Sequence, residues 1–160
     1  MTGGQACTLN PSEHCPGQTD VEYKSEFSIW CLLAAPLIVV TDIRNMTSAM
    51  SNILLNQEMI AVDQDKLGKA GDRIAIWPCV QDTVTCQIWA KPLVNNSYAV
   101  GLFNSGFLTH SITLQFKLLN FTGNVFLRDL WQHQDLGVFT ESFTVDVEPH
   151  GIEVYKVTPL

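Results

Sequence analysis

Glu26-Phe27-Ser28-Ile29-Trp30-Cys31-Leu32-Leu33-Ala34-Ala35-Pro36-Leu37-Ile38-Val39-Val40-Thr41-Asp42-Ile43-Arg44-Asn45 passes from one kind of structure to another. Just before it, Thr19-Asp20-Val21-Glu22 has the spacing of a capping box, in which a Thr and a Glu three residues on satisfy each other's backbone N–H groups. Tyr23, Phe27, Trp30 and Ala34 then recur at helical spacing and share a face. Pro36 has no N–H and restricts the residue before it, so the helix is expected to end there. Residues 37–40 are continuously apolar, as expected of a parallel strand buried on both faces. Thr41 and Asp42 sit at that strand's C-terminal end.

After Asn45, the residues Met46, Met50, Ile53 and Leu54 share a helical face, and a short helix is expected over 57–63. Gly68-Lys69-Ala70-Gly71 is the best boundary in the chain, because the apolar period changes there from 3.6 to 2. Strands are expected at 73–77, 86–91, 98–104, 111–116, 125–129, 142–147 and 151–157. Asn95-Asn96-Ser97, Asn104-Ser105-Gly106, Thr122-Gly123-Asn124 and Pro149-His150-Gly151 supply turns between them. Short strands at this spacing indicate a sandwich or barrel. No internal repeat or low-complexity tract interrupts the pattern.

Composition narrows the function. With 46% apolar and 16% charged residues in 160, the chain can bury a core and is not of the disordered class. A net charge of −7 without a run of Lys or Arg argues against nucleic acid as a partner. The longest apolar run, 31–40, is broken by Pro36 and is far shorter than the roughly 20 residues a membrane helix needs, so no membrane partner is expected. Asn45-Met46-Thr47, Asn95-Asn96-Ser97 and Asn120-Phe121-Thr122 are glycosylation sequons, with Asn45, Asn95 and Asn120 as the acceptors. Cys7 with Cys15, and Cys79 with Cys86, could each close a small disulfide loop worth about 2–3 kcal/mol, leaving Cys31 as a free, buried thiol. Both features read as secretory or lysosome-like. Met1-Thr2-Gly3-Gly4-Gln5 does not begin a secretory signal, so an N-terminally incomplete chain is expected.

The order of aromatic helix, Ala35-Pro36-Leu37-Ile38 and Asp42-Ile43-Arg44-Asn45 is similar to the α-galactosidases of glycoside hydrolase family twenty-seven. Ile60-Ala61-Val62-Asp63-Gln64-Asp65 with Leu67-Gly68-Lys69 resembles the segment that joins that family's barrel to its sandwich, and 147–155 resembles its last hairpin. The loop containing Cys7 and His14-Cys15-Pro16-Gly17 is similar to that of fungal and related microbial members.

The resemblance implies an α+β chain: a remnant of the end of a (β/α)₈ TIM barrel over 1–66, then an antiparallel β-sandwich over 67–160. Such a barrel needs eight βα units, and about one and a half fit before Val40. The resemblance further implies hydrolysis of terminal α-linked galactose with retention, which needs two carboxyl groups about 5–5.5 Å apart. In the family these aspartates end the fourth and sixth strands, and an Asp-Pro-Asp-Met segment follows the seventh. All would lie upstream of Met1, so no catalytic residue is placed on this chain. The galactoside is then a partner only through the intact enzyme, and no cofactor is implied. The sandwich is expected to brace the barrel and can form a subunit interface.

Of the residues present, Thr41 and Asp42 are the substrate-proximal candidates, since active sites form at the C-terminal ends of barrel strands. Asp42 could instead pair with Arg44 or cap the next helix. Asp63 and Asp65 read as a linker turn rather than an acid/base pair. His14, His110, His133 and His150 are scattered singly, so no metal site is expected. No Gly-x-Ser-x-Gly and no P-loop spacing occurs. Trp77, Trp89, Trp131 and Tyr98 could stack on sugars, but core packing is the ordinary role of such rings. A rival reading is a non-catalytic carbohydrate-binding or structural sandwich, marked by galactose binding to 67–160 that is lost on Trp89→Ala or Trp131→Ala. A third is a related specificity, α-N-acetylgalactosaminidase or β-L-arabinopyranosidase, decided by residues upstream.

Overall fold

The computed structural model describes residues 17–39, 41–79 and 85–160. Helix α1 (Asp20–Leu32) opens with the capping box: Thr19 Oγ1 accepts from the Glu22 N–H at 3.3 Å, and Glu22 Oε2 accepts from the Thr19 N–H at 2.8 Å. The helix stops before Pro36, at Leu32, where Ala34 turns to a left-handed φ of 51°. Its buried stripe is Tyr23, Phe27 and Cys31 with Ser28 and Leu32 alongside, so Trp30 and Ala34 lie off the expected face. Helix α2 (Ser48–Leu54) buries Met50 and Ile53, and α3 (Gln57–Asp63) buries Met59 and Val62. Asn56 caps α3, accepting from the N–H groups of Glu58 and Met59, and donates its Nδ2 to Leu130 O at 3.0 Å.

The strands are β1 (Asp72–Pro78), β2 (Thr85–Leu93), β3 (Ser97–Asn104), β4 (His110–Gln115), β5 (Val125–Asp129), β6 (Gln134–Phe139), β7 (Ser142–Val147) and β8 (Ile152–Pro159). They form a six-stranded sheet in the order β1-β2-β3-β8-β5-β6, over which a two-stranded β4-β7 sheet packs. Every pairing is antiparallel. Alternation assigns the faces. Ile112 and Leu114 of β4 point inward opposite Val145 and Phe143, while Thr113 and Thr144 bond to each other outside at 2.8 Å. On β2, Cys86, Ile88 and Ala90 enter this sandwich core, and Trp89 and Leu93 face the helices.

The helices therefore form a third layer on the outer face of the large sheet. Phe27, Leu32, Met59, Leu93, Ala99, Ile152 and Val154 make one apolar cluster across that junction. Two glycines let the layers approach. A Cβ on Gly101 would lie 2.7 Å from Leu32 Cδ1 and 2.9 Å from Ile152 Cδ1, and one on Gly71 would lie 2.7 Å from Leu32 O. Buried Asn104 ties the far end, donating Nδ2 to Leu108 O, Val147 O and Glu148 O and accepting from the Gly106 N–H.

Two further segments depart from the sequence pattern. Residues 37–39 form no strand, and Ile38 and Val39 are 64% and 43% exposed. A parallel strand needs neighbouring strands to take its backbone bonds, and no strand of the described residues pairs with this segment, while Leu37 packs against the helical cluster. Val40 lies outside them. Strand β6 escapes sequence reading because it is an outer strand with weak alternation, and Gly137 in it turns to a φ of 98°.

Candidate functional site

The sequence singles out the turn after residue 39. Asp42 has an extended backbone (φ −73°, ψ 96°) and caps the 3₁₀ turn Ile43–Asn45. Its Oδ1 accepts from the Arg44 N–H at 3.1 Å and from Arg44 Nε at 2.8 Å, and its Oδ2 accepts from Nη2 at 2.9 Å. Asp42 thus pairs with Arg44 and caps the following turn together. The Arg44 side chain, and then its backbone N–H, hold the Asp42 carboxyl below the usual carboxylate range. The group is a fixed anion that shapes the turn and is unsuited to deliver a proton near neutral pH. Thr41 is half-buried beside it.

The polar groups that organise the molecule lie elsewhere, along the seam between helices and sheet. Glu58 of α3 receives Arg128 of β5 through two bonds of 2.8 Å and His133 Nδ1 at 2.7 Å, and Arg128 also donates to Asp135 at 2.7 Å. Arg128 first, and His133 with it, holds the Glu58 carboxyl below its ordinary value against the opposing effect of burial. Glu22 of α1 accepts from His150 Nδ1 at 2.8 Å, and Ser25 Oγ donates to His150 O at 2.7 Å. Lys24 pairs with Glu153 at 3.0 Å and lies 5.4 Å above the Trp131 ring. Burial pushes the Glu153 carboxyl up despite that cation.

Lys91 is the residue that sequence reading missed. It is 1% exposed on β2 and donates Nζ to Cys31 O at 3.2 Å and to Asp63 O at 3.1 Å. These carbonyls end α1 and α3, neither of which has a basic residue in its last turn, so one ammonium serves the negative ends of two helices. Burial pushes the Lys91 amine below its ordinary value. The signal was a lone Lys in the apolar stretch Ile88-Trp89-Ala90-Lys91-Pro92-Leu93, with nothing local to say what it would meet.

A groove of about 750 Å³ runs between the helices and the β5–β6 turn, edged by Lys24, Asn52, Asn56, Glu58, Trp131 and His133. Its aromatic wall is partly committed: Trp131 donates Nε1 to Ser28 Oγ at 3.1 Å and meets Phe27 edge-on at 6.3 Å. Trp89 donates to Gln87 Oε1 at 3.0 Å under the Arg73 guanidinium, Tyr98 meets Phe121 at 5.7 Å, and Trp77 packs on the sandwich core. Asp65 accepts from the N–H groups of Leu67 and Val94, which makes it a turn-former. Asp63 is buried, accepts from Gln64 through Oδ2 and has no partner for Oδ1. No three His, Cys, Asp or Glu side chains among the described residues converge as a metal site would need.

Cys79 and Cys86 form a disulfide across the β1–β2 end, with Cα atoms 5.4 Å apart. Cys31 is a free, buried thiol, pushed up to about 12 by burial. Cys7, Cys15 and His14 lie outside the described residues. Asn95 and Asn120 both sit on exposed turns with left-handed φ values of 63° and 60°.

Comparison with known proteins accounts for both parts of the chain. A family model described as the α-galactosidase C-terminal β-sandwich domain matches residues 83–157, and one described as α-galactosidase A matches 17–65. The chain is 38% identical over 145 residues to an α-galactosidase of Oryza sativa and 39% identical over 147 residues to α-galactosidase 3 of Arabidopsis thaliana. Each alignment covers 89% of this chain and 33% of the relative. The crystal structure of α-galactosidase I from Mortierella vinacea superposes with a TM-score of 0.81 at 30% identity, over 89% of this chain and 36% of that one. The chain thus spans about a third of the length of the relatives it matches, in their C-terminal part.

Proposed function

Because the chain resembles the C-terminal part of the α-galactosidases of glycoside hydrolase family twenty-seven, we propose that it serves as that part of an enzyme hydrolysing terminal α-linked galactose with retention. The observation that carries this reading is the order of the two matched regions. A segment matching the α-galactosidase A model at 17–65 is followed by one matching the family's C-terminal β-sandwich at 83–157, and the helices of the first pack on the large sheet of the second. The catalytic aspartates of such an enzyme belong to sequence upstream of this chain. Its own contribution is mechanical: the sandwich anchors the last helices, and Thr41 with the Asp42–Arg44 pair shapes the turn that faces the barrel mouth. In that place Asp42 is a positioning residue, not a catalytic one. A secretory or lysosome-like setting, with glycans on the exposed sequons, accords with the Cys79–Cys86 disulfide.

The test is hydrolysis of an aryl α-galactoside by two proteins: the 160-residue chain, and the same chain joined to its upstream sequence. The reading requires turnover by the longer protein and none by the chain alone. Turnover by the chain alone, or none by either, refutes it.

A further inference from the structure

We propose that Asn120 is the principal N-glycan attachment site of this protein and that Asn95 and Asn45 stay largely bare; the inference rests on the secretory reading above. An oligosaccharyl transferase reads the sequon's hydroxyl as well as its asparagine, so a hydroxyl already engaged by the fold is a poor substrate feature. The three hydroxyls differ. Ser97 is 2% exposed and donates Oγ to Val94 O at 3.0 Å. Thr47 caps α2, accepting from the Met50 N–H at 3.1 Å. Thr122 is exposed and makes no hydrogen bond among the described residues.

The order of folding points the same way. Ser97 begins β3, and β1, β2 and β3 form an antiparallel meander complete once Asn104 has been made. A hairpin closes in about 1–10 μs, whereas synthesis adds about 5–20 residues per second. The Ser97 hydroxyl is therefore engaged soon after it emerges, although the Asn95 turn itself stays exposed. Asn120 lies between β4 and β5, whose partners are β7, β6 and β8, and the N–H of Phe116 bonds to Glu141 O. Its surroundings cannot close until nearly the whole chain exists, because non-local pairings form last. In the finished fold Asn120 stays exposed at the end of the 3₁₀ turn Phe116–Leu119, beside a hollow of about 440 Å³ bordered by Gln115, Lys117, Phe121 and Glu141 that has room for the first sugars. The reaction joins Asn120 Nδ2 to the anomeric carbon of the oligosaccharide. The bond from that carbon to its polyprenyl diphosphate carrier breaks, and one amide proton passes to the departing diphosphate.

The experiment secretes the full polypeptide containing this chain from a eukaryotic host and treats it with peptide-N-glycosidase in heavy-oxygen water. Each formerly glycosylated asparagine is then read as labelled aspartate by peptide mapping. The expected result is label at Asn120 in most molecules, with little at Asn95 or Asn45. Thr122→Ala should remove the label at Asn120 without straining the left-handed turn, and Asn95→Gln should leave the glycoform pattern unchanged. Label at Asn95 or Asn45 equal to or above that at Asn120 overturns the inference, as does a secreted protein with no label. A protein that fails to enter the secretory pathway of its native cell overturns the secretory reading instead.

Discussion

Lys91→Met isolates the ammonium that joins the two helix ends, because methionine keeps most of the apolar stem and deletes the charge. In the native protein Nζ donates to Cys31 O and Asp63 O from a position 1% exposed. Two effects oppose each other on substitution. Each helix-end carbonyl left without its donor costs about 1–3 kcal/mol, while removing a buried charge relieves a desolvation penalty. Cys31 O keeps a partial partner in the Ala34 N–H at 3.3 Å, which lowers the first cost at α1. The expected net loss is about 1–3 kcal/mol, or several degrees in Tm for a chain of this size. Denaturant unfolding should show a lower midpoint at an unchanged m-value, and amide exchange should quicken at the ends of α1 and α3. The pH dependence supplies an independent sign. The folded amine lies below its unfolded value, so the unfolded chain binds more protons in the window just below about 10.4, and wild-type stability should rise with pH there. A neutral amine still has two N–H groups for its two carbonyls, so the bonds survive that titration. Lys91→Met should lack this rise. A variant as stable as wild type, with unchanged exchange at both helix ends, refutes the idea that Lys91 latches the helical layer.

Two further substitutions probe the same junction. Gly101→Ala brings a methyl group within 2.7 Å of Leu32 Cδ1 and should cost about 1–3 kcal/mol by overpacking, with a smaller additional loss when combined with Leu32→Ala, as read by thermal melts of a double-mutant cycle. Glu58→Gln should cost about 1–2 kcal/mol near neutral pH, since the bidentate bond to Arg128 is partly exposed. The Glu58 carboxyl is held below its unfolded value, so its contribution is present above about 4.3 and is lost as pH falls through the folded value. Acid unfolding curves should accordingly be flatter for Glu58→Gln than for wild type.

The parts legible in the sequence are those fixed by short-range rules. The Thr19–Glu22 capping box, the stop near Pro36, the helix at Gln57–Asp63 and the change of period near Gly68 each follow from a few adjacent residues. Seven of the eight strands among the described residues carry enough alternation or apolar content, bounded by turns, to be found. What escaped was set by distant partners. Lys91 gives no local sign of meeting Cys31 O and Asp63 O, and His150 gives none of meeting Glu22. The buried face of α1 differs from the periodic one because Trp30 keeps the period while Cys31 and Leu32 are the residues the sheet covers.

Residues 37–39 show the opposite failure, a strand-like composition that forms no strand pairing among the described residues. Their composition suits a strand buried on both faces, yet Ile38 and Val39 lie 64% and 43% exposed, with exposed Ile43 nearby. The barrel reading requires that barrel strands of a longer protein cover this segment and pair with it as a strand. Amide exchange at Leu37 and Val39 should therefore be fast in the 160-residue chain and slowed by orders of magnitude in the longer protein. Apolar side chains exposed in this way also favour association between molecules, so the shorter chain should self-associate through this segment, and a charged residue at Ile38 should suppress that association. Fast exchange in both proteins would refute the barrel reading, because a closed barrel leaves no strand unpaired. Slow exchange in both would refute the open segment instead, and with it the claim that these residues depend on sequence upstream.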